Sequence, residues 1–224
     1  MGIRIDGNTI TLTTEFLTDP GVASIAIPTL APLAKYVKVT AVGAGGGSNT
    51  ASASEFTGQG GGGGAARRLF TISSLPNPTI LYIGNGSAGE DGGSTIFNID
   101  EYDSGDPESS TLAAGGFSVT GGSEGGASAA AAAVSAGGLG GGILDVDDGN
   151  DNPIELFNGQ LGASYAGGSH AMTGLPGFDG TSGGHPGLLI ITPAGVSYGQ
   201  GAVGKDDGGS AGAGVAGAIL LEFF

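Results

Sequence analysis

The sequence has no cysteine and no tryptophan, and it sets six basic residues against 21 acidic ones, for a formal net charge of −15. Without thiols, zinc ribbons, disulfide scaffolds and thiol catalysis are excluded. Six cations cannot neutralise a phosphate backbone, so nucleic acid is not an expected partner. No uninterrupted apolar run approaches ~18 residues, and membrane insertion is not expected. The first six residues hold no apolar stretch of the signal-peptide kind.

What the chain does have is glycine, 50 of its 224 residues. Each ordered glycine costs roughly 0.5–1 kcal/mol more than an alanine would. A folded protein this rich in glycine must recover that cost where nothing larger fits: close backbone packing, or turns with φ > 0. Composition changes near residue 42. Residues 1–42 hold three glycines (Gly2, Gly7, Gly21), and their charges balance, Arg4, Lys35 and Lys38 against Asp6, Glu15 and Asp19. The other 47 glycines and the whole net negative charge fall in residues 43–224.

Apolar residues alternate around Asp6-Gly7, a hairpin turn signal. They alternate again over residues 22–27 and 36–42, where Val37, Val39 and Ala41 share one face. Later apolar runs (69–72, 79–83, 95–99, 188–191 and 218–224) are short and lie between glycine tracts. Their lengths suit strands rather than helices. The ten residues 127–136, largely alanine, are the one helix candidate and are too short to be stable alone. Glycines recur every third residue at 58, 61 and 64, at 86, 89 and 92, and at 174, 177, 180 and 183. Three is the period of the polyproline II helix, which has no internal hydrogen bonds. Packed side by side, such segments can bond laterally, and that would satisfy their N–H and C=O groups. The expected fold is all-β: a small sandwich-like frame of short strands with glycine-rich loops. The expected division is an N-terminal hairpin over 1–20, serving as an attachment segment, and a glycine-rich β domain over 21–224.

Several motifs imitate catalytic sites. Residues 84–89 (GNGSAG) match G-x-G-x-x-G, but two acids and two glycines follow where a helix should receive a phosphate. Residues 199–206 approximate a P-loop, with Asp206 replacing the magnesium-binding hydroxyl. G-x-S-x-G occurs at Ser123, Ser182 and Ser210 without a strand-turn-helix setting. His170 and His185 lie in glycine-rich surroundings that favour no triad. No catalytic residue and no cofactor are expected. Asp145, Asp147, Asp148 and Asp151 are the best metal candidates, although their spacing fails that of a calcium loop. A solvated acidic loop is the simpler reading, and no metal is expected.

Residues 36–47 (YVKVTAVGAGGG), 58–72 (GQGGGGGAARRLFTI), 81–97 (LYIGNGSAGEDGGSTIF) and 114–126 (AGGFSVTGGSEGG) follow in a distinctive order, closed by 217–221 (GAILL). On these residues the chain resembles the glycine-rich domain of bacteriophage tail-fibre and minor tail proteins. It is also similar to the tip adhesins of T-even-like phage fibres, in which polyglycine II helices stack and loops at their end touch the host; this resemblance, rather than the glycine spacing, implies that some of the glycine-rich loops pack as polyglycine II helices. The chain departs from that pattern in its acidic inserts and its alanine stretch. The resemblance implies a virion protein, not an enzyme: a short tail fibre, spike or fibre tip that binds a host-surface receptor. Its other partners would be fibre, baseplate or capsid proteins and further copies of itself, three if it is a spike. A head spike or decoration protein without a receptor role is the alternative. Loops carry recognition on rigid scaffolds, so segments 48–56, 100–111, 145–157 and 196–207 are the expected contact loops. Phe56, Tyr102, Asp103, Phe157 and Tyr198 are the candidate receptor-contact residues.

Overall fold

The computed structural model describes residues 2–5, 8–11, 13–51, 55–126, 129–130, 134–135, 138–147, 153–162, 164–166, 172–173, 184–188, 197–204 and 209–224. Its strands are β1 (Gly2–Ile5), β2 (Asn8–Thr11), β3 (Thr13–Leu17), β4 (Gly21–Ile25), β5 (Tyr36–Val42), β6 (Glu55–Phe56), β7 (Ala65–Thr71), β8 (Thr79–Ile83) and β9 (Thr95–Glu101). They continue with β10 (Thr111–Val119), β11 (Ala129–Ala130), β12 (Val134–Ser135), β13 (Ile143–Val146), β14 (Ile154–Phe157), β15 (Ser164–Ala166), β16 (Met172–Thr173) and β17 (Ala218–Phe223). One single-turn helix, α1 (Ile27–Leu30), lies between β4 and β5.

Two antiparallel five-stranded sheets pack face to face. One has the order β13-β10-β9-β8-β4, the other β14-β7-β5-β17-β3. The core between them is built by alternation. Val37, Val39 and Ala41 of β5 face inward beside Ile219, Leu221 and Phe223 of β17. They meet Leu81, Ile83, Phe97, Phe117 and Val119 of the facing sheet. The rings of Phe70, Phe97 and Phe117 form a chain with centroids 5.3 and 5.9 Å apart. The turn at Asp19-Pro20 makes no hairpin, because β3 and β4 lie in different sheets. β1 and β2 pair antiparallel, with Ile3 opposite Ile10, while the expected turn residues Asp6 and Gly7 lie outside the described residues. β3, within the expected attachment segment, pairs with β17 in the body. The described parts of the alanine stretch are the short strands β11 and β12, paired with β6 and β15.

At Val42 the strands end together. Val42 stands opposite both Ala65 and Ala218, and Phe157 stands opposite Ala65. Beyond that line the chain continues as glycine segments that are neither α-helix nor sheet. Segment 57–64 runs through their middle, and every residue of it is buried. Its backbone bonds sideways to six neighbours. Gly58, Gly61 and Gly64 donate to carbonyls of Gly126, Ser123 and Thr120, while Gly60 and Gly63 donate to those of Ala202 and Gly199. Gly62 donates to Gln160. On the acceptor side, Gln59 and Gly62 receive Gly138 and Gly141, Gly60 and Gly63 receive Gly184 and Gly187, and Gly61 and Gly64 receive Gly46 and Gly43. Five of the six neighbours are met again three residues later. That is the bonding expected of an extended helix with three residues per turn, so these segments form a polyglycine II bundle.

The six-fold surround explains why glycine is needed at successive positions. A Cβ on Gly61 would fall on the carbonyl of Leu139, and one on Gly62 on the carbonyl of His185. Different neighbours block consecutive residues, so none of Gly60 to Gly64 has room for a side chain. Outer segments relax the rule: Gly214 is buried, while the preceding Ala213 is exposed. Gly62→Ala should therefore cost at least about 3 kcal/mol through overpacking, lowering the Tm by roughly 6–12 °C. Gly105→Ala, in an exposed loop where the new Cβ meets only Asp103 Oδ1 at 3.4 Å, should leave the thermal melt within about 2 °C of the parent.

Candidate functional site

The glycine segments leave the sandwich and return to it, so their reversals collect at the far end of the bundle. The described residues of these reversals include 49–51, 55–56, 88–91, 129–130 and 209–210. Their described ends are tied to one another. Asn49 Nδ2 donates to the Gly125 carbonyl at 2.8 Å and to Glu124 Oε2 at 3.5 Å. Ala51 N–H donates to the carbonyl of Gly209, and Ala211 N–H to Thr50 Oγ1. Asp91 Oδ1 accepts from Glu124 N–H at 2.7 Å, and Gly47 N–H donates to the Glu90 carbonyl. β6 pairs with β11 across the same end. Among the described residues, this end combines small polar side chains with the exposed acids Glu90, Asp91 and Glu124.

The five candidate contact residues fall at three levels. Phe56 lies at the far end, on β6 opposite Ala129. Phe157 and Tyr198 lie at the junction of sandwich and bundle, half-buried against Val42, Ala65 and Ala218. Phe157 is also covered by Arg67, whose guanidinium carbon sits 5.9 Å from the ring centre. Tyr102 and Asp103 lie at the base, the end of the sandwich away from the bundle, just past the last residue of β9. No one site unites the five.

The acidic loop 102–110 does not project as a free contact loop. It folds back along the outer face of its own sheet. Ser94, at the bundle end of β9, donates to Glu108 Oε1 at 2.6 Å, and the ring of Tyr102 stacks on Tyr82 with centroids 6.0 Å apart. Its acids bond to their own backbone. Asp103 Oδ1 accepts from Gly105 N–H and Asp106 N–H. Asp106 accepts from Glu108 N–H and Ser109 Oγ, closing the turn Pro107–Ser109. Burial first, then the neighbouring Tyr102 and Glu108, hold the Tyr82 phenol above its usual pKa of 10.0.

The metal candidates do not converge either. Asp145 is exposed and accepts from its neighbour Val146 N–H. Asp147 Oδ1 accepts from Gly115 N–H at 3.0 Å. Asp148 and Asp151 lie outside the described residues, as do His170 and Ser182. Among the described residues no group of acids and histidines could hold a metal ion. Ser123 and His185 both belong to the bundle, where the Ser123 carbonyl accepts from Gly61 and that of His185 from Gln160. Residues 84–87 run as bundle segment into a turn at Gly89 (φ +69°), and strand β9 rather than a helix follows. The described part of the P-loop-like stretch, 199–204, is bundle as well.

A residue not singled out in the sequence, Arg68, joins the two sheets. It is 3% exposed, and its Nη1 donates to the carbonyls of Gly115 (3.2 Å) and Asp147 (2.9 Å). Gly115 has φ +75° and lies in the irregular stretch where β10 loses register with β9. Arg68 and Asp147 thus hold that bulge from opposite sides. Its sequence signal was a pair of adjacent arginines in a chain with six cations.

Two outcomes check these assignments. Arg68→Met leaves two buried carbonyls without their donor and should cost about 2–3 kcal/mol in urea unfolding. Arg67→Met, which loses an exposed 3.5 Å pair with Glu155, should cost under about 1 kcal/mol. Because folding raises the Tyr82 pKa, the unfolded chain loses that proton first as pH rises. Stability should therefore fall as pH climbs past about 10, and Tyr82→Phe should remove part of that fall in melts taken between pH 8 and 11.

A family model described as a glycine-rich domain matches residues 18–223. No curated protein matches the chain.

Proposed function

The chain belongs to the glycine-rich domain family, and from that premise we propose that it is a bacteriophage virion appendage protein, a short tail fibre, spike or fibre tip, that binds a host-surface receptor through the far end of its bundle. The observation that carries this reading is the tying of chain reversals to one another, through Asn49, Ala51, Asp91 and Ala211, at one end of a bundle stiffened by six-way backbone bonding. A rigid platform holds loops close together, which lowers the entropic cost of binding. Sequence can change in those loops without touching the glycine interior, as a surface facing a variable host requires. The resemblance to phage fibre proteins supplies the biological setting, and the architecture is consistent with its adhesins. The contact surface proposed here is narrower than the one expected from sequence. It keeps Phe56 and segment 48–56 and adds the end that carries Asn49, Thr50, Asp91 and Glu124. Tyr102 and Asp103 drop out because their loop is fastened along the outer face of the sandwich, away from the far end of the bundle.

The test is made on the parent phage and its host. Antibody raised to the chain should label the tail end of the virion in electron micrographs. Saturating purified protein should cut phage adsorption at least about tenfold, and a Thr50→Trp/Glu124→Arg variant should lose that effect while Asp103→Ala keeps it. Label on the capsid, with adsorption unchanged, would instead make the chain a decoration protein. Absence of label from virions would remove the virion assignment itself.

A further inference from the structure

The two sheets of the sandwich turn unlike faces outward. On one, alternation with the core residues Val37, Val39 and Leu221 points Lys38 and Glu222 outward, where they pair at 2.7 Å. On the other, alternation with Leu81, Phe97 and Phe117 points Tyr82, Ile96 and Ser118 outward, and the register sets Ile96 between Tyr82 and Ser118. Side chains on the outside of a sheet ordinarily meet water. Yet Ile96 is 1% exposed and Ser118 2%, although Ile96 is no part of the core between the sheets.

Loop 102–110 lies over this face, and both of its fastenings adjoin Ile96. Tyr102 stacks on Tyr82, which stands directly opposite Ile96. Glu108 accepts from Ser94, two residues before Ile96 and therefore on the same side of β9. Among the described residues the other hydrogen bonds of the loop are its own. Asp103 Oδ1 holds Gly105 and Asp106, Asp106 holds Glu108 and Ser109, and Asp103 N–H donates to Ser110 Oγ. Its two ends are joined by the pairing of Glu101 with Thr111. The loop is thus a folded unit that lifts at the cost of one hydrogen bond and one ring stack.

The cover is also imperfect. Ser118 Oγ is buried and has no hydrogen-bond partner. The penalty for burying an unpartnered hydroxyl is of the same order as the gain from a hydrogen bond, so wetting Ser118 offsets much of the loss of the Ser94–Glu108 bond. Charge acts in the same direction. Residues 100–108 hold five acids in a chain of net charge −15, and like charges repel. We propose that loop 102–110 is a hinged cover, which lifts from β8, β9 and β10 while the sandwich stays folded and so uncovers Tyr82, Ile96 and Ser118. This device lies outside the receptor surface at the far end and does not depend on it.

The cysteine-free sequence allows a direct test. Ser118→Cys and Val119→Cys are made as separate variants of the full chain. They are neighbours on β10, the first on the covered outer face and the second in the core, where Val119 is fully buried. Each is treated with N-ethylmaleimide under native conditions and followed by intact mass, after a thermal melt shows it to be folded. Ser118→Cys should be labelled at least about tenfold faster than Val119→Cys, because a local opening is more frequent than opening of the sandwich. Adding Tyr102→Ala, or in its place Ser94→Ala, should speed labelling of Ser118→Cys several-fold and leave that of Val119→Cys unchanged. Equal rates for the two thiols would overturn the proposal. So would a rate for Ser118→Cys that neither releasing substitution raises. The readout is thiol reactivity, so failure here leaves the receptor reading standing, and loss of receptor binding leaves the cover standing.

Discussion

Lateral hydrogen bonding between backbones that carry no side chains is the interaction on which this structure depends. A β-strand spends its N–H and C=O groups on two neighbours in one plane. A threefold extended helix turns them through successive directions, and segment 57–64 uses those directions to reach six neighbours. Those bonds require the backbones to lie too close for a Cβ, which is why the chain tolerates so many ordered glycines. The bundle and the sandwich also need each other. Glycine segments alone lack side chains to set their register, whereas the paired ends of β5, β7 and β17 at Val42, Ala65 and Ala218 start three of them level.

This division of labour gives the molecule two ends of different chemistry. Aromatic and aliphatic side chains are concentrated in the sandwich, and its base exposes Leu33, Tyr36 and Phe224. The far end is small, polar and acidic, and its loops are held by hydrogen bonds such as those of Asn49 and Thr50. A protein that must be mounted at one end and make contact at the other has reason to separate the two in this way. The acidic loop 102–110 belongs to neither end as a contact device, since Glu108 and Tyr102 fasten it along the sheet.

Much of the frame was legible in the sequence. The alternation of Val37, Val39 and Ala41 appears as the inward face of β5, residues 79–83 as β8, and the runs on either side of Asp6-Gly7 as the paired strands β1 and β2. The resemblance to fibre tip adhesins, rather than the period of three in glycine, pointed to laterally bonded extended helices. What sequence could not show is which segments meet. The partners of Gly61 and Gly62 lie at Ser123, Leu139, Gln160 and His185, separations that no local pattern encodes. For the same reason the candidate contact residues scattered over three levels. Loops selected by composition carry no information about the end of the molecule to which the chain returns. Arg68 escaped notice because its role is to join two strands that lie far apart along the chain.

Amide hydrogen exchange, resolved by residue, tests the central claim most directly. If segment 57–64 is the bonded centre of a bundle, the amides of Gly60 to Gly64 should exchange as slowly as those of Val39 and Ala41 in the sandwich. Exchange of those glycines at the rate of an unstructured chain, while β5 stays protected, would contradict the account.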